Sequence, residues 1–556
     1  MTANRRSRSA SNSRELRLWR VGQALALVFV AAVLVAGGVF YGLVYLLDFQ
    51  EIDTTDKLDA KTLFDLLKLS FGVVAGAGAL VALVVAYRRQ RVDEAGARRE
   101  ATRLHTERFS QAVDNLGSDS PAVRLGGVHA LAGLADDAPD DSLRQTCIDV
   151  LCAYLQLPFT PDPGTDPAVE EGHHRYLAFR KVRHTILRLI GDHYRRPRGT
   201  HRSWQGCDLD LTGVTIDGSM DFSGAVFSGA TVNFRDATFS GTTVGFGDAV
   251  FSGGSVDFTG ATFSDGAVYL TRAEFSGTTV GFGDAVFSGG SVVFTGATFS
   301  GGSVDFTGAA FSGGSVDFDI AVFSGGIVDF TGAAFSGGSV DFTGAAFSGG
   351  SVDFDIAVFS GANVHITRAA FSGTTVGFSS VTFSGGTVRF DTTRFSGSTV
   401  NVIDATFSGG TVDFGGAVFS GGIVDFSGAA FSGGVVEFSG AEFSGGAVGF
   451  NEAWFSGGVV NFNCAVFSDG FVGFGGAMFS GGTVRFDTTR FSGGTVNFTG
   501  TSFSGGVVDF IHSMFSGGTV DFRRAMGPVP NGLLVAVGMP VPSTVLFASP
   551  WPSALP

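Results

Sequence analysis

From about residue 206 to residue 525 the chain alternates apolar and small polar positions in a 12-residue unit, roughly A-x-F-S-G-G-x-V-x-F-x-x. Phenylalanine stands at Phe227 and at every twelfth position through Phe239, Phe251, Phe263, Phe275 and Phe287, on to Phe515. A second column opens with Phe222, Phe234, Phe246 and Phe258 and ends at Phe522, broken only by Leu270, Ile366 and Val402. Each unit divides into two pentads whose first and third residues are apolar, such as Val256 to Gly260 and Ala261 to Asp265, followed by two inserted residues. Such alternation predicts short strands with one face turned inward, and the intervening Gly, Ser, Thr, Asn and Asp predict turns. Four sides then close a square coil of two units, about 24 residues, with long and short sides alternating. The phenylalanines form its core ladder, each ring contributing roughly 1.5–3 kcal/mol on burial. At the β spacing of about 4.8 Å, roughly 12 to 13 coils make a rod about 60 Å long. A coil closed by a single unit is the rival geometry.

Ahead of the array the pattern changes. Residues 21–47 and 69–87 are uncharged and mostly apolar, each long enough to cross a hydrocarbon core. Basic flanks at 1–20 and after residue 87, with an acidic loop at 48–68, predict two transmembrane helices with both termini cytoplasmic. On this reading the protein is a multi-pass protein of the bacterial plasma membrane, with the lipid bilayer as a partner. Residues 88–205 read as a cytoplasmic helical domain and basic linker. Ser120 and Pro121 open one helix, a second covers roughly Ser142 to Leu155, and a third Tyr176 to Tyr194. The tail, 526–556, is apolar and Pro-rich, and is either a cap over the open end of the coil or disordered.

The array looks like the pentapeptide-repeat family. In that family the central residue of each pentad is Leu or Phe and the residue two earlier is usually Ala, as at Ala225, Ala237 and Ala249 here. Val at Val232 and Val244 and the regular Gly-Gly insertions depart from the family pattern. Cys207 to Val214 resembles the family's entry. The helical segment from Arg108 through Leu134 resembles what precedes the repeats in membrane-anchored bacterial members. The resemblance implies a right-handed quadrilateral β-helix.

Charge narrows the choice of partner. Residues 206–522 carry 28 acidic and 7 basic side chains, so direct nucleic-acid binding is not expected. Asp305, Asp329 and Asp353 should form one ladder and Asp317 and Asp341 another on the opposite side, an acidic face for a basic protein. Units that break the repeat add further contact spots at His365, Arg368, Arg389, Arg394, Trp454, Arg485 and Arg490. The paired carboxylates Asp317–Asp319 and Asp353–Asp355 are copies of the repeat and do not define a catalytic cleft. His173, His174, His184 and His193 lack ligand spacing, and four scattered cysteines suit reduced structural thiols. No cofactor, metal or enzyme activity is expected. The sequence therefore suggests a membrane-tethered binding or scaffolding solenoid. Its alternatives are an acidic inhibitor of a topoisomerase-type enzyme that mimics DNA, and a small-molecule sensor in the helical domain.

Overall fold

The computed structural model describes residues 60–551, apart from 159–161, 167–169, 217, 241–242, 539–540, 542 and 550, together with scattered helical positions between 29 and 45. The basic segment 1–20, most of the first apolar stretch and the loop up to residue 59 lie outside the described residues. Two compact units divide the chain at Leu104 and His105.

Among the described residues no helix is long and apolar enough to cross a membrane. This overturns the reading of two transmembrane helices where the structure describes it, at 69–87, while the span expected at 21–47 lies mostly outside the described residues. With them go the bilayer as partner, the multi-pass plasma-membrane topology and the membrane-anchored part of the family resemblance. The second stretch is not a separate element. It lies inside one helix, α1 (Ala60–Leu116), which runs on through Arg88, Arg89, Arg91, Glu100 and Arg103. Gly72, Ala75, Gly76, Gly78 and Ala79 occupy much of its middle, and such small side chains gain far less on transfer from water than Leu, Ile or Phe.

The second unit holds α2 (Pro121–Asp136), α3 (Asp141–Gln156), α4 (Glu170–Tyr194) and the β-solenoid. Pro121 opens α2 at its first turn, where its missing N–H costs nothing. The Asp140 side chain caps α3 by accepting from Leu143 N at 2.9 Å.

The solenoid advances one turn for every two repeat units. Val250–Ser252, Ser255–Asp257, Thr262–Phe263 and Ala267–Tyr269 are four successive sides, called here the first to fourth faces. Each strand pairs in parallel with its counterpart two units on: Phe263 meets Phe287, Val256 meets Val280 and Val268 meets Val292. The third and fourth faces are each a 13-stranded parallel sheet. The first and second share a 26-stranded sheet. The single-unit coil is excluded, because Phe239 stacks on Phe263 with centroids 4.9 Å apart and planes 1° apart. Phe258 likewise stacks on Phe282 at 4.8 Å and 3°, while rings on different sides of the coil meet tilted, as Phe258 does with Phe263 at 53°, or edge to face, as Phe282 does with Phe294 at 90°. The stacked and the edge-to-face arrangements both suit the ring quadrupole. Strand centres fall on Val256, Phe263 and Val268, so long and short sides alternate as expected. The rings of the Phe222 column stand at the corners, just past a strand, and not at the middle of a side. Where Val402 interrupts that column, a void of about 10 Å³ remains beside Phe378 and Phe414.

Two kinds of corner turn the chain. Most Gly-Gly corners put one glycine at positive φ, such as Gly253 at 72°; Gly349 and Gly350 both adopt it, and neither residue of Gly313–Gly314 does. The other kind follows the corner phenylalanine: Ala261 N donates to Phe258 O at 3.0 Å, with Gly260 at φ 70°. This is the pattern of a type II turn, which favours glycine at its third residue. The repeat nevertheless places Ile320 (φ 51°) and Ile356 (φ 54°) there, both exposed. A left-handed conformation costs an L-residue roughly 1–2 kcal/mol, and a β-branched side chain is a genuine outlier in it. Glycine at either site removes that strain but adds freedom to the unfolded chain. Ile320→Gly and Ile356→Gly should each stabilise the fold by about 0.5–1 kcal/mol, read as a raised midpoint in thermal unfolding. A lowered midpoint would show that the exposed isoleucines pack more than they strain.

Candidate functional site

The acidic columns arise from the corners. Where Asp precedes a corner phenylalanine in these columns, it turns a carboxylate oxygen back to the backbone N–H two residues on. Thr307 N donates to Asp305 at 2.8 Å, Asp319 N to Asp317 at 2.7 Å and Thr331 N to Asp329 at 2.8 Å. Thr343 N donates to Asp341 at 2.8 Å and Asp355 N to Asp353 at 2.9 Å. This is the local turn that Asp and Asn side chains favour. Asn233, Asn461 and Asn497 make the same bond elsewhere in the array. The carboxylates are therefore half-buried turn elements with one oxygen engaged, and not free charges on the surface.

Register brings Asp305, Asp329 and Asp353 together on the second face and Asp317 with Asp341 on the fourth. Gly281 and Gly377 end the first ladder and His365 follows the second. Burial, followed by Asp355 and Asp329, raises the Asp353 carboxyl above its ordinary range. Burial, Asp317 and Asp341 do the same to Asp319.

The irregular units separate by face. His365 and Arg389 are stacked neighbours on the fourth face, between Asp341 and Asp413. Arg394 stands on the first face between Ala370 and Val418, and Arg368 occupies a left-handed corner at φ 58°. Four coils further on, Arg485 and Arg490 repeat the placement of Arg389 and Arg394. Trp454 stands apart, on the third face between Ala430 and Met478, 57% exposed. The core-ladder residues from Phe222 to Phe287 are buried throughout.

Sequence reasoning missed the residues that seal the first coil. The Arg183 guanidinium donates to Leu155 O at 2.7 Å and Thr215 O at 2.8 Å. Arg195 donates to Ser223 O at 2.8 Å and Asp221 O at 2.7 Å. Gln145 exchanges bonds with the Asp208 backbone, and Gln156 reaches Asp210 O at 3.1 Å. The Tyr194 ring lies 4.8 Å from Phe227, its hydroxyl donating to Cys207 O. The basic side of α4 was the visible signal, but no motif says that it faces a sheet edge. Arg195, at the head of the basic linker, thus serves the edge as well. At the other end Val545–Leu546 pairs with Thr519–Asp521, and Trp551 donates to Gly527 O at 2.8 Å while its ring lies 5.4 Å from Phe522.

The helical histidines do not converge. His173 meets Asp162 at 2.7 Å, while the buried His193 lies between Leu189 O and Asp136 and stacks on Trp204 at 4.1 Å. Among the described residues no group of His, Cys, Asp and Glu could hold a metal ion. Burial pushes the thiols of Cys147 and Cys152 up to about 12 and that of Cys207 to about 11, so none is a ready thiolate. Beside α2 and α4 a cleft of about 430 Å³ is lined by Arg124, Tyr154, Arg175, Tyr176, Phe179 and Arg183. Arg124 is already engaged there, bonded to the Tyr154 hydroxyl at 3.0 Å and lying 4.5 Å over the Phe179 ring.

Residues 211–267 match the family model described as pentapeptide repeats (9 copies). No curated protein and no solved structure matches the chain. The β-solenoid of the matched segment continues in the same two-unit register through the rest of the array, apart from a local shift at Ser444.

The raised Asp353 carboxyl has a stability consequence. Its folded pKa lies above the unfolded one, so the native state takes up the proton first as pH falls. Wild type is therefore penalised at neutral pH, and the penalty fades as pH drops through the folded pKa. Asp353→Asn, which keeps the turn acceptor, should be more stable than wild type at pH 7 by under about 1 kcal/mol, the side chain being partly exposed. Melting curves at pH 7 and near pH 4 should show that margin shrinking with acid. A margin that grows would contradict the assignment.

Proposed function

We propose that the array is a non-catalytic protein-binding scaffold whose rungs present side chains in fixed register to a basic partner. One observation carries the reading. The described coils are mostly two- and three-residue strands joined by tight corners around a filled ring core, with Glu442–Gly449 and Val466–Gly473 running through a corner as eight-residue strands. Such coils offer flat ladders and not the concave site that small substrates need. On the second face three carboxylates stand on consecutive rungs, at a spacing of about 4.8 Å that extended or helical cationic segments can meet. Mimicry of duplex DNA has weaker support. A duplex carries a charge about every 3.4 Å along each strand, whereas these ladders stop after three and two rungs.

The test uses the full chain as bait beside a variant combining Asp305→Asn, Asp329→Asn and Asp353→Asn. Asn holds the same corner at Asn233, Asn461 and Asn497, so the fold should persist. A partner should bind the wild type and lose affinity roughly tenfold or more in the variant and at high salt. Equal capture by both baits, or none by the wild type, would refute the reading.

A further inference from the structure

The third face differs from the other three in carrying no charge. From Thr215 to Ser502 the outward residue of each of its 13 strands is Thr, Ser, Val, Ala, Trp or Met. The first face carries Glu274, Arg394, Glu442 and Arg490, and the second and fourth carry the aspartate ladders. The serines beside the third-face phenylalanines also turn inward. Ser264, Ser312, Ser360, Ser408, Ser456 and Ser504 each place the hydroxyl 3.3–3.5 Å from the carbonyl of the phenylalanine one coil earlier. A hydroxyl with a partner inside the protein costs less to remove from water. Gly-Gly corners such as Gly313–Gly314 leave the border low. Above this flat ground rise Trp454 and Met478 on adjacent rungs, 57% and 39% exposed, with Val286 and Val358 exposed further along.

We propose that the third face is the contact through which two copies of this chain pack side by side about a two-fold axis. Charge selects a second copy as the occupant. The chain carries −15, and like charges facing each other across a contact are destabilising. Pairing through the second or fourth face would set carboxylates against carboxylates. The third-face strands put none in the contact; Asp236, Asp284, Asp355, Asp404 and Glu452 stand with Arg235 on the corner at one rim, and Asp265 on the other. The area also suffices. Thirteen rungs at about 4.8 Å and a side about 10 Å wide give about 600 Å² per copy. The total of about 1,200 Å² meets the lower bound of stable, specific interfaces. A two-fold pair closes on itself, so the uncharged strip is used up and does not propagate into a filament.

The experiment measures the mass of the full chain in solution by light scattering across micromolar concentrations. Wild type should give twice 57.5 kDa. Ala310→Asp with Ala334→Asp places two carboxylates on adjacent third-face rungs and should reduce the mass to that of one chain. Thr382→Lys with Thr406→Lys, also adjacent on that face, should do the same with the opposite charge, which covers the case in which the first pair misfolds. Ala346→Asp with Ala370→Asp is the matched pair on the first face and should keep the doubled mass. Circular dichroism confirms that each variant retains its β signal. A wild type of single-chain mass, a doubled mass that survives both third-face pairs, or equal loss in the first-face pair would overturn the proposal.

Discussion

Ring stacking between equivalent phenylalanines of successive coils is the interaction on which the rest of this molecule depends. Phe251 on Phe275, Phe263 on Phe287 and Phe282 on Phe306 repeat one geometry, nearly parallel and 4.8–4.9 Å apart along the rod. That distance is also the spacing of hydrogen-bonded strands, so aromatic contact and backbone pairing are satisfied by a single rise per coil. With four rings in a layer little volume remains. The other inward positions are therefore Val and Ala, such as Val256 and Ala261, both buried. Corners must then be tight, which explains both the glycine pairs and the left-handed residue before each alanine. Outward positions are released from packing, and there the sequence varies.

A coil built this way has two raw ends. Its first and last turns present backbone groups and rings with no next rung, a template for pairing with other chains. The helical domain closes the first end with side chains in place of a strand: Arg183 and Arg195 occupy carbonyls at Thr215, Asp221 and Ser223, and Tyr194 covers the Phe227 ring. The tail closes the other end with one more strand and with Phe547 and Trp551 over Phe522. Repeat arrays need such terminal caps, and here the two ends use different chemistry for the same purpose.

Periodicity made the coil legible, because a repeating unit with two inward pentads leaves few closed geometries. The corners were less so. Sequence placed the permissive residues at the glycine pairs, whereas the second corner admits Gly260, Arg272, Ile320 or Cys464 at positive φ, and no composition rule marks it. The aspartates looked like free surface charge because their bond partners are backbone N–H groups, which a sequence does not display. The capping arginines Arg183 and Arg195 show in the sequence only as basic charge in a helix and linker, because the backbone carbonyls they meet are likewise not displayed. The membrane reading rested on runs of uncharged residues. Among the described residues no helix meets the length and apolarity that a span needs, and the second run lies in the first half of a longer helix whose remainder is charged. The charge-free third face was readable only once the register had shown that alternate units, and not successive ones, share a side.

The most direct test is proximity on the coil, measured with pyrene labels on cysteine pairs in a Cys464→Ser background, diluted with unlabelled protein. Glu274→Cys with Thr298→Cys joins positions two units apart that are neighbours on the first face. Glu274→Cys with Val286→Cys joins positions one unit apart that stand on opposite faces. Excimer emission from the first pair and none from the second is the outcome that a turn of two units demands. Emission from the second pair without the first would place the rings on a different axis and remove the basis of the fold described here.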